Sequence, residues 1–135
     1  MNFSERMARP PAFDWDALVE EERAHRLIYV DPEIFRLEMT HIFGGTWTYI
    51  AHESEIPREN DFITKKLGTR PVIVVRDGEG GVRVLFNRCT HRGTTLCRQE
   101  RGNARNFQCP YHGWNFANTG QLRGVPWADG YAGDM

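Results

Sequence analysis

The sequence predicts a mainly β fold, an antiparallel β-domain preceded by a helical segment. Two amphipathic helical patterns occupy the first 45 residues. From Thr46 onward, short runs of β-branched and aromatic residues alternate with turns rich in glycine and asparagine. No apolar run approaches the ~20 residues that a membrane-spanning helix needs. We therefore predict a helical N-terminal segment at residues 1–45 and a β-domain at residues 46–135.

The N-terminal segment carries start signals for two helices. Asp14 or Asp16 can cap a helix that runs to about Arg26. Asp31-Pro32 begins the second helix, because proline is favoured directly after the capping residue. Apolar residues form a broad stripe over residues 34–43, and we expect this stripe to be buried in a core.

The β-domain is predicted from short segments that have strand composition. They are residues 46–51, 61–67, 71–76, 82–87, 106–108, 115–116 and 121–123. Residues 77–81, Asp-Gly-Glu-Gly-Gly, favour a hairpin between the two strands that flank them. The run of four β-branched residues at 72–75 is typical of a fully buried strand.

Composition limits the function. The formal net charge is −1, so the chain as a whole has no basic excess with which to bind nucleic acid. No apolar stretch follows the charges at the N-terminus, so we expect no secretory signal, no membrane association and a cytoplasmic protein. The three cysteines are too few, and odd in number, for a disulfide framework. Cysteines close to histidines suggest a metal site instead.

Two mixed pairs of metal-ligating residues stand out. Cys89 and His91 form the first pair, and Cys109 and His112 form the second after seventeen intervening residues. Zinc fingers pair cysteine with cysteine and histidine with histidine along the chain. Mixed pairs suit an asymmetric diiron centre, with both cysteines on one iron and both histidines on the other. A structural zinc site, or no metal at all, remains as an alternative at this point.

The residues around these pairs resemble a known family. Residues 87–93 (Asn-Arg-Cys-Thr-His-Arg-Gly) and 109–114 (Cys-Pro-Tyr-His-Gly-Trp) are similar to the large (α) subunit of bacterial Rieske ring-hydroxylating oxygenases. The resemblance runs from about Asp31 to Pro126. It implies a small antiparallel Rieske β-sandwich and a [2Fe–2S] cluster held by Cys89, His91, Cys109 and His112.

The resemblance also implies partners. In this family a reductase or ferredoxin supplies electrons to the cluster, which passes them to a mononuclear Fe(II) in a catalytic domain. Neighbouring oxygenase subunits complete the assembly. No histidine follows His112, so the two-histidine, one-carboxylate site of that iron cannot be built here. We therefore expect a Rieske portion truncated at its C-terminal end, without catalytic residues of its own.

Differences from respiratory Rieske proteins refine this expectation. Thr94 and Tyr111 stand where those proteins have two further cysteines that form a disulfide. Trp114 and Phe116 stand where those proteins place hydroxyl groups near the cluster. Hydrogen bonds to cluster sulfur raise the reduction potential, so their absence predicts a value at the low end of the Rieske range, about −150 mV.

Two other functions remain open from the sequence. A stand-alone Rieske ferredoxin would carry electrons by itself, although such a protein does not need the 45 residues before Thr46. A zinc-stabilised binding module is the more distant alternative. We expect His25, His41 and His52 to be surface residues, and Cys97 to be a small buried hydrophobic residue or a free thiol.

Overall fold

The computed structural model describes residues 13–130, and the chain divides into two units between Gly45 and Thr46. The first unit contains three short helices, α1 (Trp15–Leu18), α2 (Leu27–Val30) and α3 (Pro32–His41). Asp14 caps α1 by accepting a hydrogen bond from Ala17 N at 3.3 Å. The prediction of one helix as far as Arg26 is wrong, because the backbone becomes extended at Val19 and pairs with Ala24. A helix this short has little intrinsic stability without a packed face.

Helix α3 begins where the sequence predicts. The Asp31 carboxylate accepts hydrogen bonds from Glu33 N and Ile34 N, at 2.8 and 3.3 Å, and Pro32 is the first helical residue. The expected burial of the apolar stripe is wrong for most of it. Ile34 is buried, whereas Phe35 and Ile42 remain about half exposed. The four-residue α2, which packs against α3, is too short to cover so broad a stripe.

The second unit consists of two antiparallel sheets, as the sequence predicts. The first sheet has the order β3-β2-β1-β4 and the second has the order β5-β6-β7. Their strands are β1 (Asp61–Leu67), β2 (Arg70–Arg76), β3 (Val82–Phe86), β4 (Arg101–Asn103), β5 (Asn106–Gln108), β6 (Asn115–Ala117) and β7 (Leu122–Gly124). One-turn 3-10 helices lie at Glu53–Glu55 and Ala128–Gly130. No helix in the part of the chain that the structure describes has the length and apolar character needed to span a membrane.

One predicted strand is absent from the structure, one observed strand was not predicted, and the bounds of β2, β3, β6 and β7 differ from the prediction by one residue. Residues 46–51 form no strand, although their composition is that of one. β4 was not predicted, because Arg101, Gly102 and Asn103 have no strand composition. It forms because its backbone pairs with the start of β1, where Gly102 lies opposite Phe62. Tertiary pairing thus overrides local preference at this edge.

The hydrophobic core lies on both faces of β2. Ile73 and Val75 pack in a cluster with Phe62, Cys97 and Phe107. Phe62 belongs to the first sheet and Phe107 to the second, and their rings meet edge to face with centroids 5.3 Å apart. This cluster therefore holds the two sheets together. The opposite face carries a smaller cluster formed by three buried aliphatic side chains, Ile56, Ile63 and Val74.

A buried carboxylate orders the turn that links β2 to β3. Asp77 is 1% exposed and accepts hydrogen bonds from Arg83 Nε at 2.8 Å and from the backbone N–H groups of Glu79 and Gly81 at 3.0 and 2.8 Å. The bond to Arg83, together with these N–H groups, holds the pKa of Asp77 below its usual value. The carboxylate stays charged and fixes the hairpin that delivers the chain to Cys89.

Asn87 closes the base of the loop at residues 87–97, which contains the predicted ligands Cys89 and His91 and is called the first ligand loop. Its side-chain Nδ2 donates to Cys97 O at 2.7 Å, and its Oδ1 accepts from Cys97 N at 2.8 Å. Both residues are buried. The amide thus mimics a strand partner across residues 87–97 and fixes the two ends of the loop that contains Cys89 and His91.

We predict that Asn87→Ala lowers the free energy of unfolding by about 2–4 kcal/mol, because it leaves the buried N–H and C=O groups of Cys97 without partners. Urea unfolding measures this change. The matched control is Asn106→Ala, since Asn106 is exposed on β5 and its side chain forms no hydrogen bond within the described residues. The control should change stability by less than about 0.5 kcal/mol. Equal stability of the two variants would contradict the role given to Asn87.

Candidate metal centre

The predicted ligands lie in two loops, the first ligand loop (residues 87–97) and a second one (residues 109–114). The two loops share one backbone geometry. Each follows a strand, the first after β3 and the second after β5. In each loop the cysteine N–H donates to the carbonyl five residues later, and the glycine four residues later donates back to the cysteine carbonyl. These bonds are Cys89 N to Thr94 O (2.8 Å), Gly93 N to Cys89 O (2.8 Å), Cys109 N to Trp114 O (2.7 Å) and Gly113 N to Cys109 O (3.0 Å). The loops are therefore two copies of the same turn.

Each turn requires a glycine at the fifth position. Gly93 has φ = 76° and Gly113 has φ = 72°, a left-handed conformation that side chains disfavour. A Cβ atom on Gly113 would also lie 2.9 Å from Cγ of Pro126. Gly93 and Gly113 thus close the loops that contain the four candidate ligands.

The two cysteines meet in the interior. Cys89 is 1% exposed and Cys109 is 3% exposed, and both pack against Phe116. The two thiols are close enough for each to act on the pKa of the other. Such proximity is what two thiolates need in order to bind the same iron.

Burial and hydrogen bonding act in opposite directions on these thiols. Burial raises the pKa of Cys89, and the neighbouring Cys109 thiol raises it further, against the effect of the His91 and Arg92 N–H groups. Burial also opposes ionisation of Cys109. At Cys109, however, the N–H groups of His112 and Tyr111 and the Cys89 thiol together outweigh the effect of burial, so the pKa of Cys109 is lowered. Backbone N–H groups from both loops therefore point at sulfur and stabilise negative charge on it.

The two histidines present unused nitrogen atoms to the same region. The ring centroids of His91 and His112 are 4.8 Å apart. The Nδ1 atom of each ring is buried and has no hydrogen-bond partner. Burial lowers the pKa of His112, and the charges of His91 and Arg92 lower it further, so the neutral imidazole is favoured. A buried neutral imidazole nitrogen without a partner is suited to bind a metal.

An aromatic ring supports each histidine. His91 stacks on Trp114, with centroids 4.9 Å apart and an interplanar angle of 7°. His112 stacks on Tyr111 at 3.7 Å and 30°. Trp114 belongs to the second loop and His91 to the first, so this stack links the loops. The contacts of Tyr111 and Asn87 were not predicted, because no spacing rule signals them.

This donor set fits a diiron cluster better than a single ion. Two buried thiols and two buried imidazole nitrogens are available as ligands, which is the set that a Rieske cluster uses, two for each iron. Structural zinc needs four ligands around one ion. Within residues 13–130, no three His, Cys, Asp or Glu side chains are arranged to hold one metal ion. The two buried thiols and two buried imidazole nitrogens therefore fit the [2Fe–2S] cluster that the resemblance implies.

The remaining histidines and the third cysteine have other structural roles. His25 Nδ1 accepts a hydrogen bond from Leu27 N at 3.3 Å, and His41 is the last residue of α3. His52 caps the 3-10 helix by accepting from Ser54 N at 3.2 Å. Cys97 is buried in the core, as the sequence suggested.

Known proteins with similar sequences are oxygenase subunits. Toluate 1,2-dioxygenase subunit alpha from Pseudomonas putida is 45% identical over 113 residues, which cover 79% of this chain and 25% of the relative. Biphenyl 2,3-dioxygenase subunit alpha from Rhodococcus jostii (strain RHA1) is 43% identical over 112 residues, 81% of this chain and 24% of the relative. The chain thus spans about a quarter of the length of these curated relatives.

Solved structures with the same fold belong to related enzymes. Naphthalene 1,2-dioxygenase from Rhodococcus sp., bound to indole, matches with a TM-score of 0.73 and 45% identity, over 77% of this chain and 24% of that one. A quaternary ammonium Rieske monooxygenase in complex with L-carnitine matches with a TM-score of 0.75 and 31% identity, over 82% and 31% of the two chains.

The family comparison covers the whole region that contains both ligand loops. Residues 46–132 match the family described as the Rieske [2Fe-2S] domain. The equivalent loops, the paired thiols and the free imidazole nitrogens agree with that match, and a Rieske domain implies a [2Fe–2S] cluster. The chain belongs to the Rieske [2Fe-2S] domain family, and its similar sequences are the large subunits of ring-hydroxylating oxygenases.

Proposed function

We propose that this chain is the electron-transfer portion of an aromatic-ring-hydroxylating oxygenase α subunit. The [2Fe–2S] cluster would be held by Cys89, His91, Cys109 and His112. When bound, it would accept and release one electron at a time. The observation that carries the proposal is the convergence of two buried, unpartnered Nδ1 atoms beside two buried thiols. The oxygenase subunits among the similar proteins favour this function over a stand-alone ferredoxin.

The residues around the ligands have distinct tasks. The N–H groups of His91 and Arg92, and those of Tyr111 and His112, stabilise negative charge on the two sulfur atoms. Trp114 and Phe116 pack against the cysteines and restrict the access of water. Low hydration disfavours the additional negative charge that arrives with an electron, which agrees with a potential at the low end of the Rieske range.

The chain spans about a quarter of the length of its curated relatives, which supports assigning the rest of the reaction to a longer protein. We propose that residues 1–45 are a helical segment and residues 46–135 the Rieske domain of a longer protein, whose catalytic domain binds the mononuclear Fe(II). A reductase or ferredoxin is the proposed electron donor, and neighbouring oxygenase subunits are the proposed assembly partners. We place this assembly in the cytoplasm.

Reversible reduction tests the proposed function. The purified, cluster-loaded chain should be red-brown and contain about two irons. Dithionite should bleach its visible bands, and air should restore them. A colourless protein that binds one zinc per chain would contradict the proposal.

We predict that Cys89→Ser and Cys109→Ser, and likewise His91→Ala and His112→Ala, abolish or severely reduce the visible bands and the bound iron. Each substitution removes one of the proposed ligands. Cys97→Ser is the matched control, because Cys97 is also a buried cysteine but packs in the hydrophobic cluster around Phe62 instead of beside Cys89 and Cys109. It should keep about two irons per chain. Retention of normal bands by Cys89→Ser, or their loss in Cys97→Ser alone, would show that the ligands are assigned incorrectly.

We predict that Trp114→Leu raises the reduction potential and broadens the electron paramagnetic resonance signal of the reduced protein. The substitution admits water, which stabilises the more negative reduced site, and it removes the ring that orients His91. Trp114→Phe should preserve most of both properties.

The control for Trp114 is the same substitution at Trp47, whose side chain is fully exposed. Trp47→Leu should leave the potential and the spectrum unchanged. An unchanged spectrum and potential in Trp114→Leu would remove the role assigned to the stack.

We predict that this chain alone will not hydroxylate aromatic compounds. Oxygen activation needs an iron with open coordination positions, and within residues 13–130 no three His, Cys, Asp or Glu side chains are arranged to hold such an ion. The measurement supplies the loaded chain with reductase, NADH, ferrous iron, oxygen and a panel of aromatic acids and hydrocarbons. Formation of a hydroxylated or cis-diol product, coupled to NADH oxidation, would place the active site in this chain.

A further inference from the structure

Charge is distributed unevenly within the Rieske domain. Residues 46–81 contain five basic and six acidic residues. Residues 82–124, which include both ligand loops, contain seven arginines, no lysine and a single acidic residue, Glu100. Although the net charge of the whole chain is −1, the segment of residues 82–124 is strongly positive, and it contains the candidate metal ligands.

Three of these arginines lie in or next to the first ligand loop. Arg88 precedes Cys89, Arg92 follows His91, and Arg98 follows Cys97, which the Asn87 side chain holds at the base of the loop. We call these three residues the arginine patch. All three are exposed. Arg92 is close enough to His112 for its charge to act on that imidazole.

The arginine patch has no carboxylate partners among the described residues. Elsewhere in the domain, arginines pair with acidic side chains, as Arg83 does with Asp77 at 2.8 Å and Arg58 with Asp61 at 3.4 Å. No such ion pair involves the patch, and residues 88–98 contain no acidic residue. An ordinary solvated surface would mix the two signs, as residues 46–81 do.

An uncompensated positive surface beside a redox site has a physical consequence. It attracts a negatively charged protein over roughly a Debye length and accelerates productive encounters. Arginine also binds carboxylates with two parallel hydrogen bonds, which fixes the orientation of a docked partner. Nucleic acid is a poorer fit, because the chain as a whole has a net charge of −1 and two arginines of the patch are next to proposed metal ligands in the sequence.

We propose that the arginine patch is the docking surface for an acidic electron-donor protein, whose carboxylates pair with Arg88, Arg92 and Arg98. This inference rests on the proposed electron-transfer function. The donor gives up one electron, the proposed iron–sulfur site accepts it, and no bond is made or broken. Docking over the first loop places the donor's redox centre next to His91 and Cys89.

The test is stopped-flow reduction of the cluster-loaded chain by a reduced, acidic plant-type ferredoxin, whose potential lies below the Rieske range. For the parent chain, the second-order rate constant should fall as salt rises to about 0.5 M. At low salt, each of the variants Arg88→Glu, Arg92→Glu and Arg98→Glu should react about tenfold more slowly than the parent chain. A variant with two of these substitutions should show a weaker or inverted dependence of the rate constant on salt.

Arg105→Glu is the matched control. Arg105 is an exposed arginine without an ion pair in the described residues, and it precedes β5 at the end opposite Cys109. The Arg105→Glu substitution changes the total charge by the same amount as each patch variant, but at a different place. The rate constant of this variant should therefore stay within about twofold of the parent value. Equal slowing by Arg105→Glu and by the patch variants would overturn the proposal, because total charge alone would then explain the effect.

A reductant of opposite charge separates docking from damage to the site. Reduced methyl viologen is a cation, so it should react faster with the Glu variants than with the parent. Slowing with both reductants, after correction for any change in potential, would overturn the proposal. Dithionite titration keeps the underlying function distinct: a cluster that dithionite cannot reduce refutes electron transfer itself, whereas full reduction with unaltered ferredoxin kinetics refutes only the docking surface.

Discussion

Each ligand loop is closed by two backbone hydrogen bonds around a cysteine, and the candidate metal centre depends on this closure. The cysteine N–H binds a carbonyl five residues ahead, and a left-handed glycine returns a bond to the cysteine carbonyl. The same closure leaves the next N–H groups free to point at sulfur. Because both loops repeat it, two thiols and two imidazoles converge, although the two pairs lie far apart along the chain.

The sheets and the polar clamps keep these loops in place. β3 and β5 deliver the chain to the two cysteines, and the Phe62–Phe107 contact joins the sheets from which they come. Asn87 fixes the ends of the first loop, and the Trp114–His91 stack connects it to the second. The Asn87 side chain and the Trp114–His91 stack thus help to fix the relative position of the four proposed ligands.

The sequence predicted the parts of the fold in which local pattern and tertiary structure agree. β1 and β5 coincide with their predicted bounds, because aromatic and β-branched residues there fill the core. β4 was missed because Gly102 is held by pairing with Phe62 rather than by propensity. The helix expected to reach Arg26 ends at Leu18, since a short amphipathic segment has too little surface to bury. The candidate ligands were identifiable from spacing alone, whereas Asn87 and Tyr111 act through contacts that spacing does not encode.

The central claim is that two cysteines bind one iron and two histidines bind the other. Mössbauer spectroscopy of the chain loaded with isotopically enriched iron tests this most directly. In the oxidised protein we expect two quadrupole doublets of equal area with different isomer shifts, because sulfur and nitrogen ligands donate charge unequally. A single type of iron site, or a chain that takes up zinc in place of iron, would contradict the account.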